Sequence, residues 1–251
     1  MLRVERLGVR YGALVALENV SWQVAAGQVL GIIGPNGAGK SSCYDATTNM
    51  VRRSGRVFLA DADVTDVPPH GLAAFGLKRA FQQNAFFAEL SVLDNMVAVL
   101  SRERGTGLFA SVFLPWQEVS RRRALEVEAA ALLTRFRVPA AMHAQRPGSL
   151  PYGTQRMLSI ALAWGSGARV LMLDEPAAGL GGEDMLRLRD LIGALKAEGA
   201  ALVVIEHHMD LIMSVADQIT VLEQGRCLAT GTPREIQADP RVLEAYLGRA
   251  A

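Results

Sequence analysis

Eight residues, Gly34-Pro35-Asn36-Gly37-Ala38-Gly39-Lys40-Ser41, fit the phosphate-loop pattern G-x-x-x-x-G-K-[ST]. Glycines let a backbone curl until successive N–H groups face one point. A helix N-terminus just beyond adds partial positive charge, and together they bind phosphate anions. Lys40 is expected to reach the β- and γ-phosphates of a nucleotide and the Ser41 hydroxyl to hold Mg2+, with Ser42 next to it counted among the nucleotide-binding residues. The context fits, because the apolar run Val29-Leu30-Gly31-Ile32-Ile33 precedes the loop. Without that strand the same glycines would read as an ordinary turn.

A second apolar run, Val170-Leu171-Met172-Leu173, ends in Asp174-Glu175-Pro176. In doubly wound sheets such a strand end lies beside the phosphate loop. Asp174 is then placed to bind Mg2+ through its shell and Glu175 to polarise the attacking water as general base. Alone, an acidic turn after a buried strand is commonplace; paired with the loop, it supplies the other half of a nucleotide hydrolase. A third run, Val204-Ile205-Glu206-His207-His208-Met209, sets His207 at a strand end, where an imidazole can contact the γ-phosphate. Two histidines there could equally form a solvated turn. Gln82 follows the short run Gly76 to Phe81, where its amide could sense metal and water, and the adjacent Gln83 leaves the register open by one residue.

The elements that must position these groups are readable in outline. Strand-like runs cover Leu2 to Val9, Ala16 to Val24 and Gln28 to Ile33, and Ala25-Ala26-Gly27 reads as a hairpin turn between the last two. An antiparallel layer therefore comes first. Strands at Arg169 to Leu173 and Ala201 to Ile205, separated by a helix over Glu183 to Ala197, predict a parallel sheet covered by helices. The fold class is α/β. Helical spacing at Ser91 to Leu100 and Ser120 to Phe136 marks a mostly helical insertion over 84–165 within a single domain, leaving 1–83 and 166–251 as the core. Residues 104–118, rich in Gly and large apolar side chains, read as a loop or a docking surface.

Composition excludes several classes. The 251 residues are 50% hydrophobic, enough for a sizeable core, and 26 Lys+Arg against 25 Asp+Glu leave a net charge of +1. That balance offers no global field for nucleic acid or an anionic membrane. Cys43 and Cys227 lack metal or disulfide spacing and read as buried packing residues in a reducing compartment. No secretory leader and no apolar run of about 20 residues is seen, so the chain is expected to be cytoplasmic. His70 and His143 read as solvated or structural.

In this order and spacing the motifs resemble an ABC transporter nucleotide-binding subunit over essentially the whole chain. The resemblance implies ATP and Mg2+ as ligands. It sets Tyr11 where the family stacks an aromatic on adenine, Gln82 in the Q-loop, His207 at the switch histidine, and Leu150-Pro151-Tyr152-Gly153-Thr154 at the signature. There the amide of Gly153, ahead of a helix over Gln155 to Ala163, would bind in trans the γ-phosphate held by a partner's loop. Hydrolysis then needs a head-to-tail dimer, with a second copy or a different ATPase subunit. The partners implied are transmembrane permease subunits and, indirectly, a periplasmic binding protein, with the chain peripheral on the cytoplasmic side of the inner membrane. Within the family, the chain is most similar to the branched-chain amino acid type. That likeness rests on Asp174-Glu175-Pro176-Ala177-Ala178-Gly179-Leu180, Ile205-Glu206-His207-His208-Met209, the Gly107-Leu108-Phe109 insertion and the tail Ala245-Tyr246-Leu247-Gly248.

The signature departs from L-S-G-G-Q at Pro151, Tyr152 and Thr154, and the segment Ala178-Gly179-Leu180-Gly181 lacks the family's aspartate. These departures suggest that the chain's signature completes the weaker of two composite sites while its own loop and acidic strand end stay competent. Other substrates (urea or amides, lipopolysaccharide) and a degenerate regulatory subunit are the alternatives. Phe86-Phe87-Ala88-Glu89-Leu90 reads either as a permease-docking patch or as packing for the insertion.

Overall fold

The computed structural model describes residues 1–80, 86–103 and 115–247. A hairpin of β1 (Leu2–Tyr11) and β2 (Leu14–Val24) opens the chain, turning at Gly12 with φ +59°. With β4 (Ser54–Leu59) and β5 (Ala62–Asp63) it makes an antiparallel sheet of order β2-β1-β4-β5. A second sheet runs β10-β9-β3-β8-β7-β6. Its strands are β3 (Val29–Ile33), β6 (Leu77–Ala80), β7 (Val170–Asp174), β8 (Ala201–Ile205), β9 (Gln218–Glu223) and β10 (Arg226–Gly231). All neighbours pair in parallel except β9 with β10.

The expected hairpin at 25–27 does not form. β2 and β3 belong to different sheets, so the turn is a crossover, and the Gly27 N–H donates to Gly199 and Ala200 carbonyls rather than across a hairpin. The hairpin lies one connection earlier, where β1 and β2 pair antiparallel from Leu2 with Val24 to Tyr11 with Leu14, while both edges of β3 are taken by the parallel strands β8 and β9.

Alternation along the buried strands splits that core in two. Val170 and Met172 face the antiparallel sheet and α1 (Lys40–Thr47). Leu171 and Leu173 face the helical layer instead. That layer holds α3 (Val92–Glu103), α4 (Pro115–Arg135), α5 (Tyr152–Gly165), α6 (Gly182–Ala197) and α7 (Met209–Val215), the single-turn α2 (Pro69–Leu72) lying outside it. Residues 115–118, expected in a loop, begin α4; residues 104–114 lie outside the described residues. Helices α8 (Pro233–Ala238) and α9 (Pro240–Leu247) follow β10.

Of the two cysteines, Cys43 is buried and takes a hydrogen bond from the Trp22 indole at 3.3 Å, and apolar burial pushes its thiol up to about 11. Cys227 is exposed, against expectation, because it lies on the outward face of edge strand β10. His143 is buried, its Nε2 3.2 Å from the Val138 carbonyl, a structural residue as expected, while His70 is exposed. Among the described residues no helix is long and apolar enough to cross a membrane.

Candidate nucleotide site

Strand order brings the three motifs together. β8 lies between β3 and β7, so the loops leaving these strands at their carboxyl ends are neighbours, the place where open parallel sheets bind ligands. The loop from Gly34 to Gly39 leaves β3 and enters α1 at Lys40. Gly39 has φ +99°, and a Cβ there would stand 2.6 Å from the Ala16 carbonyl, so any side chain would lift the loop off β2. Lys40 is buried, and its Nζ donates to the Gly34 and Pro35 carbonyls at 2.7 and 3.0 Å. Burial lowers the Lys40 pKa, and the nearby Glu175 and Asp174 carboxylates oppose that fall. Ser41 is exposed on the first turn of α1, and Ser42 half-buried beside it.

The polar helix α1 has a structural explanation. Thr47 and Thr48 hydroxyls bond back to the carbonyls of Cys43 and Tyr44, and the Tyr44 hydroxyl lies 3.1 Å from both the Ala80 and Met172 carbonyls. Asp45 pairs with Arg79 at 2.9 Å, and that guanidinium stacks 4.3 Å from the Tyr44 ring centroid. These contacts clamp α1 to β6 and β7 and so fix the loop relative to the acidic strand end.

Asp174 ends β7 half-buried. Burial pushes its carboxyl up to about 6, Glu175 adds to the rise, Arg79 opposes it, and Asp45 and Glu206 raise it further. Glu175 takes φ +44°, a left-handed conformation unusual for a side-chain-bearing residue and worth on the order of 1 kcal/mol of strain. Its N–H donates to the Ile205 carbonyl at 2.9 Å, and the Ala178 N–H returns to the Glu175 carbonyl at 3.1 Å. The result aims Glu175 at His207, whose Nδ1 lies 3.6 Å from Glu175 Oε1.

Glu206 was legible only as part of its run. It is fully buried, with one carboxylate oxygen accepting the Ala177 N–H at 2.7 Å. The other accepts the His207 and His208 N–H groups at 2.9 and 3.1 Å and lies 2.9 Å from His208 Nδ1. A carboxylate inside an otherwise apolar strand end was the available sequence signal, since such groups are seldom buried without partners.

The signature residues form the start of α5. Pro151 caps it, and Tyr152, Gly153 and Thr154 make its first turn, so the helix begins three residues before the expected Gln155. Gly153 is buried, and a Cβ there would collide with the Asp184 carboxylate on the first turn of α6. The Tyr152 ring, 48% exposed, packs over Gly179 and its hydroxyl accepts from Arg156 at 3.1 Å. Tyr11 is exposed at the turn of the β1–β2 hairpin, whose second strand touches the loop at Gly39. Gln82 and Gln83, the 107–109 insertion and Gly248 lie outside the described residues. Burial pushes the Tyr246 phenol on α9 up to about 12, a rise that the Gly34 backbone opposes.

A phosphate loop, an acidic strand end and a histidine on three adjacent parallel strands define a phosphate-loop nucleotide hydrolase. More particularly, the chain belongs to the ABC transporter family, whose pattern matches residues 17–178, and it is an ATP-binding ATPase of that family. A second pattern, described as branched-chain amino acid ATP-binding cassette transporter, matches residues 226–251. The chain is 38% identical over 257 residues to the high-affinity branched-chain amino acid transport ATP-binding protein BraF of Pseudomonas aeruginosa, covering 100% of this chain and 98% of that one. It is 36% identical over 253 residues to LivG of Escherichia coli, with the same coverage. The lipopolysaccharide export ATP-binding protein LptB of Acidithiobacillus ferridurans is 32% identical over 99% of this chain and 97% of its own. Among solved structures, an ATP-binding cassette of an ABC transporter in its ADP conformation superposes with TM-score 0.83 at 27% identity, covering 99% of both chains.

Proposed function

We propose that this chain powers import of branched-chain or related hydrophobic amino acids, working peripherally on the cytoplasmic side of the inner membrane. Its partners are transmembrane permease subunits and a second ATPase subunit, with a periplasmic binding protein delivering substrate. The match of residues 226–251 to the branched-chain amino acid pattern carries the substrate reading. Residues 1–83 and 166–251 act as the nucleotide core and 84–165 as the helical subdomain.

In this reading the phosphates lie along Gly34 to Ser42, and Lys40 Nζ exchanges the Gly34 and Pro35 carbonyls for phosphate oxygens, which are stronger acceptors. Tyr11 stacks on the adenine. The donor set suits Mg2+: the exposed Ser41 hydroxyl and the Asp174 carboxylate are hard oxygen ligands, and crowding by neighbouring carboxylates is what a cation relieves. Held by Ser41 and Asp174, a bound Mg2+ would supply positive charge to offset the charge of the phosphates. Gln82, by its place in the motif, would sense the metal and the water. Glu175 accepts the water proton, and His207 hydrogen-bonds the γ-phosphate as charge develops on it. Gly153 presents its amide to the partner's γ-phosphate. Loss of that phosphate removes the differential contact that holds the two ATPases together.

The test is ATP hydrolysis by the chain, alone and with its permease in lipid, comparing wild type with Glu175→Gln. Turnover that depends on Glu175, rises with the permease and rises again with leucine-loaded binding protein supports the proposal. Nucleotide binding without Glu175-dependent turnover, or stimulation by lipopolysaccharide instead of amino acid, overturns it.

A further inference from the structure

Glu206 touches both halves of the hydrolytic pair without facing the nucleotide itself. Through Oε1 it holds the Ala177 N–H, two residues beyond Glu175; through Oε2 it holds the backbone of His207 and both the backbone and Nδ1 of His208. Glu175 sits at φ +44°, a conformation that persists only where the surroundings over-determine it. The Ala177 hydrogen bond supplies part of that constraint. On the other side, the paired N–H bonds set the direction in which the His207 side chain leaves β8.

We propose that Glu206 is a positioning residue for ATP hydrolysis, one buried carboxylate that locks the Glu175 turn and the His207 backbone into a fixed mutual geometry. This rests on Glu175 as the base and His207 as the γ-phosphate contact. The ligand atoms of Glu206, His207 and His208 lie within 4.8 Å of one another, a spacing that could suit a metal. Both Glu206 oxygens, however, already accept the three backbone N–H groups named, so a metal there would displace a hydrogen-bonded scaffold.

An ionised carboxylate accepts and never donates, which matches the three converging backbone N–H donors, with His208 Nδ1 a fourth in its Nδ1–H tautomer. A carboxamide of the same shape cannot. With its oxygen toward His207 and His208, the amide NH2 meets the Ala177 N–H; flipped, it meets the two histidine amides. Glu206→Gln therefore keeps the volume and loosens one side of the pair.

The experiment is steady-state hydrolysis by the full chain assembled with its membrane subunits, with ATP binding measured in parallel and Glu175→Gln as reference. For Glu206→Gln we expect kcat to fall about ten-fold or more while KM for ATP stays within about two-fold. His208→Asn, whose amide can still donate to Glu206, should retain more of the rate than His208→Leu. Wild-type kcat in Glu206→Gln, while Glu175→Gln is inactive, would overturn the positioning role and leave the ATPase reading intact. A fall in ATP affinity with kcat unchanged would also overturn it. Should Glu206→Gln fail to fold, equal rates for His208→Asn and His208→Leu would decide against the proposal. If Glu175→Gln keeps its activity, the reading of Glu175 as base fails first.

Discussion

His207 Nδ1 lies 3.6 Å from Glu175 Oε1, across the gap between the ends of β8 and β7. That separation is too long for a hydrogen bond, so the two groups face each other without being joined by one. With Glu175 as the base and His207 as the phosphate contact, as proposed, the two could each act on a different atom of a third molecule, the arrangement that water attack on a phosphate requires. Strand order sets the two ends side by side, and the turn at Glu175 aims one at the other.

For His207→Ala, kcat should fall about 10²-fold, the loss typical of one transition-state donor, with ATP binding retained. Single-turnover hydrolysis at saturating ATP measures it, and an unchanged rate would assign the imidazole to solvent.

Asp174 ties stability to pH. Its carboxyl is raised from 3.8 to about 6 chiefly by burial. Below the lower value the folded and unfolded chains both carry the proton; above about 6 both are ionised and the folded chain bears a poorly solvated charge. In Mg2+-free buffer, Asp174→Asn should therefore be close to neutral near pH 4 and stabilising above pH 6. After allowance for solvent screening of a half-buried group the gain is about 1 kcal/mol. Thermal melts across that range read it directly. Added Mg2+ should stabilise the wild type above pH 6 and progressively less below, as protons compete for the carboxylate.

Gly153→Ala places a methyl group against the Asp184 carboxylate. Either the Asp184 side chain or the first turn of α5 must give way, while the chain's own loop is untouched. Nucleotide binding by the isolated chain should be unaltered, and hydrolysis in the assembled complex should fall about ten-fold or more. Sedimentation with ATP in the Glu175→Gln background would show whether ATP-dependent association is lost with it.

Phe87 is 61% exposed, and Asn95 pins its backbone from both sides, accepting its N–H at 2.9 Å and donating to its carbonyl at 3.1 Å. Phe86 instead packs partly buried against the helical core. Phe87→Asp should leave melting temperature and ATP binding near wild type, as exposed substitutions usually do, and weaken capture of the chain by the permease. Undiminished capture would move the docking surface elsewhere.

The chemistry of this protein was written locally, and local patterns are what a sequence displays. The loop from Gly34 to Ser41, the acidic end of the strand at Asp174-Glu175 and the histidine after Ile205 each combine an apolar run with a few polar residues at fixed offsets. Sequence alone thereby determined the α/β class, the antiparallel opening layer and the identity of the motif residues. Their mutual placement was another matter. Pairing β1 rather than β3 with β2, setting β8 between β3 and β7, and packing Phe86 against the helical core while exposing Phe87 depend on which apolar faces meet across long separations. The same holds for Glu206, whose role exists only because Ala177 is brought against it. A carboxylate's function is set by the donors around it, and only the packed tertiary structure assembles donors from distant parts of the chain.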